Sequence, residues 1–290
     1  MSATPIARIA RASLLVVSIA TTHALAAQGL SYDMSTTGTG PDRTGAMSTQ
    51  LYSQAHGQFA GSYSRIDYVQ TMVPGGMMSA GTYMITNVAT KTVTSVDPAK
   101  HEYTVIDVGD LGKAAGDMQA AMGGVAKTEI TDIKVNVEDL GPGEPLDGYA
   151  TYKYRLTQSW TMKITVMGHT MSSPSQSTMD IWIAPQLDGL MDPSARPLPG
   201  PATGMMAELT TQLTAAYAKV RKGLPLKRVS TSESGQGARK HTTTLTMLIT
   251  NVKKAPINPS VFQVPSGYTK VDMMDMARAS AAAAPHGKPQ

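Results

Sequence analysis

The chain has 290 residues, enough for one large domain with its own core, and carries 25 basic against 21 acidic residues for a net charge of +4. Charged residues make up 16%, against roughly 25% in an average soluble domain, and 26 Gly and 18 Pro point to strands and turns rather than helices. The absence of cysteine excludes disulfides, Cys-ligated zinc, iron–sulfur clusters, thiol nucleophiles and a lipid-modified N-terminal cysteine, and no basic stretch of the kind that grips nucleic acid stands out.

Residues 1–26 read as a secretory signal peptide. Arg8 and Arg11 precede an apolar run from Ala12 to Ala20, and Ala24-Leu25-Ala26 forms an A-x-A cleavage site. Thr21, Thr22 and His23 interrupt the run well short of the roughly 20 apolar residues a membrane span requires. The expected mature protein is exported, periplasmic or extracellular, with no stable transmembrane span. One domain is expected over residues 27–268, and residues 269–290 form a low-complexity tail ending in ARASAAAAPHGKPQ.

Along the mature chain, Leu30, Tyr32 and Met34 alternate with polar residues and mark a first strand, ended by the Gly38–Pro41 breaker cluster. Further strands are expected near 47–57, 59–72, 81–87, 91–96 and 101–107, spaced as an antiparallel meander. Asp97-Pro98-Ala99-Lys100 is a type I turn by its Asp and Pro positions. Asp110 then caps a short helix with Leu111, Ala115, Met118 and Met122 at helical spacing, stopped by Gly123-Gly124. Ile133, Val135 and Val137 restore strand alternation, and a loop over Gly141–Gly148 follows.

The clearest signal lies between Tyr152 and Val166. Tyr152, Tyr154, Leu156, Trp160, Met162, Ile164 and Val166 alternate with polar residues, broken only by Gln158, which predicts one long strand with two different faces. The Ser172–Ser177 segment is expected to turn the chain back through Met179, Ile181 and Ile183. A second helix is expected over about 204–222, with Met206, Leu209, Leu213, Tyr217 and Val220 on one face and Gly223 and Pro225 beyond its end. A last hairpin runs from Leu226 to Ser232 and from Arg239 to Val252, followed by Phe262 to Tyr268.

The stretches Arg65-Ile66-Asp67-Tyr68, Thr92–Asp107 (TVTSVDPAKHEYTVID), Tyr152–Thr157 (YKYRLT), Ile181–Pro185 (IWIAP) and Phe262–Tyr268 (FQVPSGY) resemble the exported bacterial family labelled domain of unknown function 4412. The order of elements resembles the half-open barrel of envelope lipoprotein carriers of the LolA and LppX type. That resemblance implies a mainly β, α+β fold: a curved antiparallel sheet or half-open β-barrel covered by two amphipathic helices. The carriers begin with an amphipathic helix and line the cavity mouth with aromatics. Here strand alternation begins at Leu30, and only 2 Phe and 2 Trp are present beside 20 Met, which can fill irregular space.

No nucleotide cradle, zincin motif or EF-hand loop occurs, and Met77 stands where a nucleophile elbow around Ser79 needs glycine. His56, His101, His169 and His241 are the histidines available to a hydrolytic triad. Met167, His169 and Met171 share a strand face and could offer two thioethers and an imidazole to Cu(I); the competing reading is an exposed hairpin tip. Met72, Met77, Met78 and Met84 form a looser group, and Asp272-Met273-Met274-Asp275-Met276 another. The expected function is non-catalytic, without a cofactor: an apolar groove built from Tyr154, Leu156, Trp160, Met162, Ile164, Leu209, Leu213 and Tyr217, taking a lipid, a lipoprotein acyl chain or a hydrophobic part of an envelope component. The alternative is an envelope structural or interaction module that meets a protein partner and has a filled core.

Overall fold

The computed structural model of the chain describes residues 27–41, 46–72, 77–109, 126–166, 168–188, 207–234 and 241–272. Within them the chain is mainly β. One sheet contains twelve strands: β1 (Ala27–Pro41), β2 (Met47–Ala60), β3 (Tyr63–Thr71), β4 (Tyr83–Asn87), β5 (Thr92–Asp97), β6 (Glu102–Asp107), β7 (Ala126–Pro142), β8 (Tyr152–Val166), β9 (His169–Ala184), β10 (Leu224–Ser234), β11 (His241–Ile257) and β12 (Thr269–Lys270). Their order is β12-β6-β5-β4-β3-β2-β1-β11-β10-β9-β8-β7. All neighbours are antiparallel except β12, which lies parallel to β6 at one edge. The sheet stays open, with β7 at the other edge. Thr269–Lys270, which composition assigns to the tail, thus belongs to the sheet.

The predicted meander is present as β1 to β6, and the predicted long strand as β8. Asp97 receives the backbone N–H groups of Ala99 and Lys100 at 3.1 and 3.3 Å, and His101 follows at φ 54, so the Asp-Pro turn forms where its chemistry places it.

The β8–β9 connection differs from expectation. Val166 already pairs with His169, with Gly168 between them at φ 81, and Ser172–Ser177 lies inside β9, where Pro174 pairs with Thr161. The Ser/Pro run resembles a turn locally, but a 15-residue alternating strand needs a partner of equal length. Among the described residues β10 pairs with β9 as far as Gln176, two residues short of Pro174.

Among the described residues one α-helix is present, α1 (Ala207–Tyr217), which ends five residues before the expected 222; residues 204–206 of the expected helix lie outside the described residues. Its last turn tightens through Lys219 N–H to Ala216 and Val220 N–H to Tyr217, both at 3.1 Å. Val220 is drawn onto the sheet and Arg221 onto Tyr152, so the chain leaves the helix before its cations are reached. The expected helix from Asp110 to Met122, the second of the two expected covering helices, lies outside the described residues, as do residues 1–26.

The two sheet faces are covered by different pieces. On one, the helix face, Leu30, Tyr32 and Met34 pair with Phe59, Gly57 and Ala55. The same face continues as a row across Thr36, Met247, Arg228, Ile181 and Tyr154. α1 covers its β8–β9 end, packing Tyr217 and Val220 against Tyr154, Ile181 and Ile183.

The opposite, strap face is crossed by the loop 143–151. Glu144 meets Lys227 at 2.6 Å, and the Asp147 carboxylate accepts the N–H groups of Asn251 and Val252 at 3.0 and 2.7 Å. Asn251, at φ 55, is part of a bulge in β11, and Asp147 satisfies donors that the interrupted ladder releases. At the other end of this face, Pro259–Phe262 and Val264 close over Tyr83, Ile85 and Val96, anchored by Arg65 Nη1 donating to the Val261 carbonyl at 2.9 Å. The central cluster joins Leu30, Phe59, Leu187, Leu224, Leu226 and Ile249, with Leu146 and Tyr149 of the loop packed against it.

Gly57 marks a close contact of the helix face. A Cβ there would lie 2.1 Å from Tyr32 Cζ, so the ring occupies the space a side chain would take. Gly57→Val is expected to lower stability by about 2 kcal/mol, the scale of core overpacking, seen as a shift of the urea midpoint. An unchanged midpoint would mean that the ring is not held there.

Candidate functional site

The candidate surface is the helix face along β8, β9 and α1. Register places Tyr152, Tyr154 and Leu156 of β8 opposite Ile183, Ile181 and Met179 of β9. Further out, Trp160, Met162 and Ile164 lie opposite Ser175, Ser173 and Met171, while Met162 and Ile164 meet Ile130 and Thr128 of β7 on the other side. The face therefore changes along its length from mutually apolar to an apolar strand flanked by serines.

Burial follows that change. Tyr154 and Leu156 are 2% and 1% exposed, and Leu209 of α1 is 3% exposed. Trp160, Met162, Ile164, Leu213 and Tyr217 are half-buried. Of the eight expected groove residues, Tyr154 and Tyr217 meet in one cluster with Tyr152, Met179, Ile181, Ile183 and Val220. Tyr154 and Leu156 are thus closed packing rather than open lining, whereas Trp160, Met162 and Ile164 retain accessible apolar surface. On the same face Leu245 of β11 is 39% exposed, next to Ser230 and Gly38 in register.

Burial pushes the Tyr217 hydroxyl up in pKa, opposed by the Arg228 charge. Burial likewise raises Tyr154, with the Asp139 carboxylate adding to it and a hydrogen bond to Arg221 opposing it. Both phenols stay neutral at ordinary pH. Arg221 spreads its guanidinium 3.7 Å above the Tyr152 ring, so the exit of α1 is fixed by a cation on an aromatic face.

The strap face behind this surface is held by charge. Asp180 of β9 accepts Arg155 Nε and Nη2 at 2.7 and 2.8 Å, and Lys153 Nζ lies 2.8 Å from it. Beside it, the ammonium groups of Lys153 and Lys227 lie 4.5 and 4.7 Å from the Trp182 ring centre. These contacts tie β8, β9 and β10 from behind while the front stays apolar.

His169 and Met171 are exposed at the hairpin tip and pair with Val166 and Ile164; Met167 is outside the described residues. Met72 and Met78 are exposed, while Met84 accepts the Tyr68 hydroxyl at 3.5 Å. Met273, Met274 and Met276 fall outside the described residues. Among the described residues no three His, Asp or Glu side chains converge on a metal-sized site. His56 Nδ1 lies 2.5 Å from Asp33 Oδ1, whose other oxygen accepts the Asn251 amide at 2.7 Å. This dyad stands on the exposed strap face, away from the apolar surface. His101 instead packs its ring against Tyr268, at 5.2 Å between centres.

Arg221 and Tyr152 are the residues at this surface that the expected groove set leaves out. The available signal was a run without acid: from Leu209 to Ser232 there are five cations, Lys219, Arg221, Lys222, Lys227 and Arg228, and no Asp or Glu. Among the described residues, no helix is long and apolar enough to cross a membrane. No protein-family model and no curated protein matches the chain.

Hydrogen bonds from Arg155 and the nearby Lys153 hold Asp180 below the usual carboxylate range, against the opposing effect of burial. A depressed folded-state pKa means that this stabilisation is complete above about pH 4, the unfolded value, and is lost as pH falls toward the folded one. Asp180→Asn is expected to cost about 1.5 to 3 kcal/mol at pH 7, the range for hydrogen bonds to charged groups, and to cost less below pH 3. Urea titrations at the two pH values check this; an equal loss at both would show that charge plays no part.

Proposed function

We propose that the protein is a non-catalytic, exported binder that holds a lipid, an acyl chain or a hydrophobic part of an envelope component along the helix face. The observation that carries this reading is the half-buried apolar stretch Trp160, Met162 and Ile164, which runs on from the closed cluster beneath α1. An isolated folded domain gains nothing from leaving such a stretch accessible between serines. An acyl chain laid there gains about 0.8 kcal/mol per buried CH₂, so ten methylenes supply roughly 8 kcal/mol before association costs.

The half-open-barrel reading rests on the same sheet. Twelve strands exceed the width at which open sheets ordinarily stay uncurled, and register shifts between Ser31 and Asp33, Pro225 and Lys227, and Thr131 and Lys134 are places where bulges bend strands. A sheet curling toward α1 would turn the helix face into a trough, as the resemblance to the envelope lipoprotein carriers and the family of domain 4412 implies.

The near-complete burial of Tyr154 and Leu156 favours a second reading, an envelope interaction module with a filled interior. Native mass spectrometry of the mature protein, purified gently from its own envelope and followed by lipid extraction, separates the two. The binding reading expects a stoichiometric lipid that is lost in Trp160→Asp and Met162→Asp, both at half-buried positions, with circular dichroism unchanged. An empty protein that also takes up no fluorescent fatty acid leaves the interaction module standing.

A further inference from the structure

The exit of α1 carries a concentration of positive charge. Lys219, Arg221 and Lys222 are exposed, and among the described residues none forms an ion pair with an acid, whereas Lys227 is met by Glu144. The C-terminal carbonyls of α1 account for only about half a negative charge, so most of the three positive charges remains uncompensated. In a chain whose net charge is +4 before the two arginines of the leader are removed, this is a local concentration.

Its placement is specific. Val220, between Lys219 and Arg221, packs into the apolar cluster with Tyr217 and Tyr152. Arg221 lies 3.7 Å above the Tyr152 ring and hydrogen-bonds Tyr154, so its planar fork is held at the border of the apolar surface. A guanidinium held by stacking loses less freedom on meeting a carboxylate or phosphate than a free side chain does. Cations at the border and apolar side chains behind it complement a molecule with one charged end and a hydrocarbon body.

We propose that the turn Lys219–Lys222 is an anion subsite and that the ligand of the helix face is an amphiphile with an anionic head, its oxygens meeting Arg221 between the two lysines. This inference rests on the groove reading and adds the chemistry of the head group. The body of the ligand then lies over the half-buried Tyr152 and Tyr217, beside the closed cluster of Tyr154 and Ile181.

The test uses the mature chain and two probes with the same body, dansylamino-undecanoic acid and its methyl ester. The acid is expected to bind about tenfold more tightly than the ester, the scale of a few exposed charge contacts together. That preference should shrink at 1 M salt and vanish in Lys219→Gln/Arg221→Gln/Lys222→Gln. The double variant Lys219→Gln/Lys222→Gln leaves the Tyr152 and Tyr154 contacts in place and should lose part of the preference with an unchanged unfolding midpoint. Equal affinity for acid and ester, or a preference unchanged in the triple variant, overturns the anion subsite and leaves the groove intact. Failure of both probes to bind overturns the groove reading and this inference with it.

Discussion

The pairing of β1 with β11 is the constraint on which the other features depend. β1 lies between β2 and β11, with Ala27 opposite Ile257 on one side and Gly29 opposite Ala60 on the other. Without it the chain would be two separate sheets, a meander of β1 to β6 and a block of β7 to β11, each with an exposed edge. With it, Leu30 and Phe59 from the first half join Leu224, Leu226 and Ile249 from the second in one buried cluster. This contact joins opposite ends of the chain, so its loop-closure cost falls on folding before the apolar burial it allows.

A sheet this wide has two faces to cover, and the chain uses different chemistry on each. The strap face is fastened by polar contacts: Asp147 on the β11 bulge, Asp180 with Arg155, Arg65 with Asp67 and the Val261 carbonyl. Each charge there is partnered while remaining partly hydrated, which avoids the penalty of burying ions. The helix face is fastened by apolar packing beneath α1, and that packing fades along β8 from Tyr154 to Ile164. Rigid support behind and accessible apolar surface in front are what a binding face requires, since the strands are held without using the side chains that would meet a ligand.

Much of this could be read in the sequence because strand alternation is a local signal. The period of two from Tyr152 to Val166 gave β8 with its boundaries and the residues of each face, and Asp97-Pro98 specified its turn. The Ser172–Ser177 run was misleading for a definite reason: turn-forming residues also suit a strand whose outer half is exposed, and only pairing reveals that. The end of α1 was likewise set outside the helix, by the sheet side chains that capture Val220 and Arg221. The candidate surface was half legible. Alternation identified Trp160, Met162 and Ile164, but the significance of Arg221 depends on Tyr152, a residue far away in sequence.

The sequence by itself determined the β-rich class, the strand periods, the turn at Asp97 and the division of β8 into an apolar and a polar side, because these follow from side-chain spacing along a few residues. The tertiary structure alone decided that β1 joins the two halves, that a loop straps one face and α1 covers the other, and which of the apolar residues of β8 are closed off. Those outcomes depend on which distant segments compete to bury the same surface, and spacing along one strand contains no record of the strand that will lie beside it.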